Sequence, residues 1–197
     1  MGSAKNAKRI RREQREFVAE TDFWHGGAAG LKPGDLVLPP SHTGVVSAAG
    51  MAGMPTRNDR VYFTTVHDVA RGYAAHTPGL NAVYRVEPVG DLEKDPDYRA
   101  IGFQAPKARV IEVTDTAVSM TPKERMRIHQ PYEEYDDGTL IHDETGRLLL
   151  SERTASFGID QAYLDANIPL WTEWEDAALM LQPEVYRLHP HLRPPSF

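Results

Sequence analysis

The chain has 197 residues, 41% hydrophobic and 25% charged, with a net charge of −6 from 22 basic and 28 acidic side chains. That is one ordinary domain, or a small domain with an appendage, and it is long enough to bury a core without staples. The absence of cysteine excludes a disulfide framework, a thiolate zinc site, an iron–sulfur cluster and a cysteine nucleophile, and the acidic balance argues against a dedicated nucleic-acid binder.

No apolar run reaches the roughly 18 residues of a membrane span, and the first residues lack the apolar core of a signal peptide. A cytoplasmic protein without membrane association is expected. Residues 4–20 are good helix formers with few apolar anchors, Ile10, Phe17 and Val18, and predict a helix. Its start carries Lys5, Lys8, Arg9, Arg11, Arg12 and Arg15 against Glu13. This basic arm reads as a solvated lead-in, or as a weak contact for nucleic-acid phosphates or an acidic partner.

Phe23-Trp24-His25-Gly26-Gly27 reads as a short aromatic strand ending in a sharp bend. Leu31 to Asp35 is a turn with an early Pro33 and then Gly34. Leu36-Val37-Leu38 is a brief strand stopped by Pro39-Pro40. Residues 41–59 lack a period and read as a long loop. Val61-Tyr62-Phe63-Thr64 is a strand, and Val66 to Ala75 a helix with Asp68 suited to its first turn. Ala82 to Val86 is a strand stopped by Glu87-Pro88. Val89 to Asp97 is an acidic turn region, and Ala108 to Val113 a further strand.

Beyond Asp115 the texture changes. Met126 to Tyr135 is polar and irregular. Thr139 to His142 and Arg147 to Leu150 flank a turn and predict a hairpin. Residues 160–166 and 171–182 predict helices, the second with Trp171 and Trp174 on one stripe. Leu188 to Phe197 is proline-rich and expected to be extended. The strand spacings are too short for repeated parallel crossovers, which favours an α+β fold. Three segments follow: a basic helix over 1–21, a core over 22–115 and an extension over 116–197.

The chemistry-bearing residues fall in a fixed order. They are His25-Gly26, Leu31-Lys32-Pro33-Gly34-Asp35-Leu36, and Val61-Tyr62-Phe63-Thr64 with Asp68 and Ala70. Val83 to Gly90, Glu93-Lys94-Asp95-Pro96 and Glu112-Val113-Thr114-Asp115 follow. This ordered set resembles the rifamycin-inactivating ADP-ribosyltransferases, and more broadly the diphtheria-toxin and poly-ADP-ribose polymerase branch of that superfamily. The resemblance covers about residues 22–115.

It implies an ADP-ribosyltransferase-like core, a split antiparallel β-sheet with flanking helices, followed by a hairpin and helices. It implies NAD-dependent mono-ADP-ribosyl transfer, with NAD as substrate and no metal. The implied acceptor is a hydroxyl of a rifamycin-like small molecule. The alternatives are a toxin or effector acting on a protein or nucleic acid, and a non-catalytic NAD-binding module. Residue by residue, the resemblance has His25 bond the adenosine ribose and the Gly26 backbone hold the nicotinamide amide. Tyr62 would stack on the nicotinamide ring, with Thr64 in the same binding set. Tyr73, eleven residues on, holds the place of a second stacking tyrosine. Asp95 holds the place of the acid. Gly27 departs from the family, which usually has Thr or Ser there.

The chemistry agrees with such residues. Breaking the nicotinamide–ribose bond builds positive charge on the sugar, which a nearby carboxylate stabilises. Two tyrosines clamp a flat ring at little entropic cost. The chain lacks both GxGxxG and GxxxxGK[ST], and this grip needs neither. Taken alone, the same residues also read as structure: His25 as a half-buried strand histidine, Tyr62 and Tyr73 as core aromatics, Asp95 as a turn former before Pro96. Glu93 is an alternative acid.

Other groups read as structure. His189-Pro190-His191 is a bare pair in a proline-rich tail. Asp136-Asp137 and Asp143-Glu144 lack EF-hand spacing. Ser151 and Ser156 lack a nucleophile elbow.

Overall fold

The computed structural model describes residues 2–45, 57–96, 98–135 and 137–193. Most of the expected loop over 41–59, together with Asp97, Asp136 and the last four residues of the tail, lies outside the described residues. The chain forms two compact units, Met1–Arg125 and Met126–Phe197.

In the first unit α1 (Gly2–Glu20) leads into β1 (Phe23–Ala28), β2 (Leu36–Val37), α2 (Pro40–Thr43), β3 (Val61–Thr64) and α3 (His67–His76). Then come β4 (Asn81–Val89), β5 (Glu93–Lys94), β6 (Gly102–Ala105) and β7 (Lys107–Thr116). The strands form one sheet in the order β2-β7-β4-β1-β3-β6-β5, and each pairing is antiparallel.

Alternation along the strands divides the side chains between two faces. Phe23, Phe63, Tyr84, Val86 and Phe103 share one buried cluster. Helix α1 covers that cluster: the Phe17 ring lies 5.9 Å from Phe23 and 5.5 Å from Phe103. The described part of the basic arm spends charge within its own helix, as Arg9 pairs with Glu13 and Arg12 with Glu16, each at 3.5 Å.

Helix α3 packs on the opposite face, with Ala70 and Ala74 against Val83. Small residues let the helix come very close. A Cβ on Gly26 would lie 1.9 Å from the Ala70 carbonyl oxygen and 2.6 Å from the Ala74 nitrogen. Asp115 ties β7 to the first turn of α3 through His67, Nε2 to Oδ2 at 2.8 Å.

Two strands escape the sequence reading. All four residues of β6 are buried, so the segment has no polar–apolar alternation to mark it. Strand β5 is two residues long. Strand β4 also runs through Glu87-Pro88, where a stop was expected. Pro88 pairs with Ala108 next to the strand's end, beyond two irregularities in register, and proline is tolerated at such margins.

The second unit is helical. Helix α4 (Pro122–His129) runs into it and continues as a 3₁₀ turn, Gln130–Tyr132, where irregular chain was expected. Then come α5 (Glu152–Ser156), α6 (Gln161–Asn167), α7 (Trp174–Leu188) and a 3₁₀ turn, Pro190–Leu192. The expected hairpin shrinks to single bridges, Glu134 to Leu140 and His142 to Leu148. Asp143 takes the turn instead, accepting from the Thr145 and Arg147 N–H groups. Ser151 caps α5 by accepting from the Thr154 N–H.

Trp171 and Trp174 do not share a helical stripe. Trp171 sits before the helix at φ 61°, and its indole fills the space over Gly146, where a Cβ would lie 2.2 Å from the ring. Trp174 stands edge-on to Tyr135 at 5.1 Å. Helix α7 outlasts its expected end and takes Pro183 inside it. The carbonyl that Pro183 leaves without an intrahelical donor belongs to Leu179, which is 64% exposed, and a missing bond costs less at an exposed position than at a buried one. The tail turns back as His189 Nε2 meets the Phe157 carbonyl at 3.0 Å. Among the described residues no helix is long and apolar enough to cross a membrane.

Candidate active site

The sheet is joined at its middle by a single residue pair. Strand β1 pairs with β4 over Phe23 to Ala28, and β3 pairs with β6 over its whole length. Strands β1 and β3 pair only at Trp24 and Thr64. One residue beyond that join, the His25 side chain takes over the bonding: His25 Nδ1 lies 2.8 Å from the Tyr62 carbonyl oxygen.

That contact fixes the ring's chemistry. A carbonyl only accepts, so Nδ1 carries the proton and Nε2 presents its lone pair. Burial pushes the His25 pKa below 6.5, while the bond to the Tyr62 backbone pulls the other way. The ring is therefore neutral at pH 7. It stacks on Tyr84, 6.4 Å between centroids and 23° between planes. Tyr84 is itself anchored by donating its hydroxyl to the Ala28 carbonyl at 2.7 Å.

Tyr62 is half-buried, and its hydroxyl accepts from the Arg57 N–H at 3.1 Å. Across the join, Thr64 pairs with Gly102. Gly102 also accepts, through its carbonyl, from the Asp95 N–H at 3.0 Å. Asp95 is 8% exposed. Tyr73, on α3, meets Tyr98 edge-to-face at 6.2 Å.

The sequence model of a family described as rifampin ADP-ribosyl transferase matches residues 23–133, more than half of the chain. The chain belongs to the rifampin ADP-ribosyl transferase family. A search of curated proteins found no match. The family match opens on the first residue of β1, takes in the whole sheet, and continues past Asp115 to Glu133. It is a family of ADP-ribosyl transferase enzymes, for which NAD is the substrate.

In this chain Glu93 and Asp95 lie in different surroundings. Glu93 has one carboxylate oxygen 2.9 Å from Arg60 and the other 2.9 Å from Arg57. The Arg60 guanidinium, with Arg57 beside it, holds the Glu93 carboxyl below its ordinary range. Asp95 is buried beside Gly102, where an added Cβ would lie 2.8 Å from the Asp95 Cβ.

Two glycines and a threonine take on structural work. Gly26 is bare because α3 lies on it. Gly27 is bare beside His25: a Cβ there would lie 2.9 Å from His25 Nε2. Gly27, where the family usually has Thr or Ser, thus places no side-chain atom beside that nitrogen. The Thr64 hydroxyl accepts from the Val66 N–H at 3.1 Å, which holds the turn into α3.

Sequence reasoning missed Tyr98, Gly102 and the Arg57–Arg60 pair. Pro96 and Gly102 bracket Tyr98 as a turn, and that signal was present. Tyr98 meets Tyr73 on α3 and both arginines meet Glu93 on β5, contacts that no local pattern reports.

Proposed function

We propose that this chain transfers ADP-ribose from NAD to a hydroxyl of a rifamycin-type small molecule. The observation that carries the reading is the His25–Tyr62 contact. It leaves a neutral imidazole with an open acceptor nitrogen at the place where the sheet's two halves separate.

A sugar hydroxyl is a donor that suits this nitrogen, and the adenosine ribose of NAD supplies one. The residues present fit NAD in further ways. Tyr62 and Tyr73 supply two aromatic faces for the nicotinamide ring. The Gly26 backbone meets the nicotinamide amide, its Cβ direction being already filled by α3. Thr64 contributes by fixing the start of α3 and hence Tyr73.

Asp95 is the acid in this reading. The bond from the ribose anomeric carbon to the nicotinamide nitrogen breaks, its electron pair leaves with nicotinamide, and positive charge gathers on the sugar. A buried carboxylate stabilises that charge more strongly than an exposed one, because water screens it less. The acceptor oxygen then bonds to the anomeric carbon and its proton passes to water. Glu93 is committed to two guanidinium groups and serves as a tie between β5 and the start of β3.

The test compares two carboxylates. Asp95→Asn is expected to lower nicotinamide release by about 10²–10³-fold, the scale of losing one transition-state electrostatic contact. Glu93→Gln is expected to cost less than about tenfold. The reverse ranking would transfer the role to Glu93.

A further inference from the structure

The turn that carries Asp95 carries a second ring into the same neighbourhood. Tyr98 is half-buried, and its carbonyl accepts from the Ile101 N–H at 3.2 Å and the Gly102 N–H at 2.6 Å. The turn is therefore closed by its own backbone. Its seat is Gly102: a Cβ there would lie 2.8 Å from the Tyr98 Cβ and 2.8 Å from the Asp95 Cβ. One bare glycine on β6 thus sets the height of both side chains above the sheet.

From that seat the Tyr98 ring reaches Tyr73 edge-to-face, 6.2 Å between centroids and 82° between planes. This is a favoured aromatic geometry, and it fixes the plane of each ring relative to the other. Tyr73 is carried by α3, whose backbone sits directly on Gly26. Tyr73 is therefore held between the helix and the Asp95 turn.

We propose that Tyr98 is a positioning residue of the nicotinamide site. It sets the plane of Tyr73 and couples that plane to the turn bearing Asp95. The inference rests on the reading that Tyr73 forms one face of the nicotinamide clamp.

The test is a double-mutant cycle on the full chain. NAD affinity is measured by calorimetry for wild type, Tyr98→Leu, Tyr98→Phe, Tyr73→Leu and the double leucine variant, with a thermal melt of each. Tyr98→Leu is expected to weaken NAD binding roughly three- to tenfold. Tyr98→Phe is expected to bind as wild type, because the ring and not the hydroxyl makes the contact. In the Tyr73→Leu background, Tyr98→Leu is expected to add almost nothing.

Full additivity of the two leucine substitutions would overturn the inference. So would unchanged NAD affinity in a folded Tyr98→Leu protein whose melt alone is lowered. If Tyr73→Leu itself leaves NAD affinity untouched, the clamp reading fails first, and the role of Tyr98 falls with it.

Discussion

With Nδ1 committed to the Tyr62 carbonyl at 2.8 Å, the His25 ring has Nε2 alone to offer a ligand. Gly27 keeps that nitrogen open. A methyl group at 27 would press on Nε2 from 2.9 Å, on a ring already tied through Nδ1 to the Tyr62 carbonyl. Gly27→Ala is therefore expected to raise KM for NAD about five- to tenfold, the scale of one hydrogen bond, with a smaller change in kcat. Steady-state kinetics with varied NAD would show it. An unchanged KM would mean that Nε2 is not the ligand's acceptor. The pH dependence follows from the same ring. Burial lowers the His25 pKa from 6.5, so on acidification the unfolded chain takes up its proton first. The stabilising contribution is complete above 6.5 and is lost as the pH falls through and below that value. NAD affinity should stay level down to 6.5 and weaken only further into acid. At this scale the proposed His25, Tyr62 and Asp95 came from an ordered set of motifs, and the proposed Tyr73 from its spacing to Tyr62. The reasons for Gly27, Tyr98 and Gly102 were not legible: Gly27 and Gly102 are set by how neighbouring side chains fold over them, and Tyr98 by a ring on α3.

Helix α3 and strand β1 depend on each other through Gly26. An alanine there would drive its Cβ into backbone atoms, the Ala70 carbonyl and the Ala74 nitrogen, and these cannot step aside as a side chain can. Gly26→Ala is expected to cost at least about 1–3 kcal/mol of stability, read as a lowered midpoint in urea. A midpoint equal to wild type would contradict the packing described. In the second unit, burial first, and then Glu175 and Glu173, raise the Glu133 pKa. A carboxyl raised in the folded state destabilises when charged, so Glu133→Gln should raise the melting temperature at neutral pH. The gain should fade as acid protonates the wild-type group. The elements that alternate or carry a clear helical period, β1, β3, β7 and α3, were legible in the sequence. Strand β6 was not, because a short strand buried at every position looks like any apolar stretch. Trp171 was misplaced onto a helix because its spacing to Trp174 fits one. Its positive φ and its seat over Gly146 depend on a turn 25 residues away in the chain.

Each of the two units has its own buried cluster, one around Phe23, Phe63 and Phe103 and one around Leu148, Leu164 and Leu181. The family match spans the sheet and reaches the opening residues of the second unit. The α+β character followed from strand spacing alone. The order of the strands in the sheet did not, because pairing across β1 and β3 is a single contact made by residues far apart in sequence. At this scale the join between the sheet's halves is the proposed site of ADP-ribosyl transfer from NAD to a drug hydroxyl. The most direct measurement is mass spectrometry of the purified chain incubated with NAD and rifampin, following both free nicotinamide and the drug. Nicotinamide release matched by rifampin gaining one ADP-ribose is the predicted result, with both lowered together by about 10²–10³-fold in Asp95→Asn. Rifampin left unchanged while nicotinamide accumulates would contradict the assigned acceptor, and no nicotinamide release from bound NAD would contradict the transfer itself.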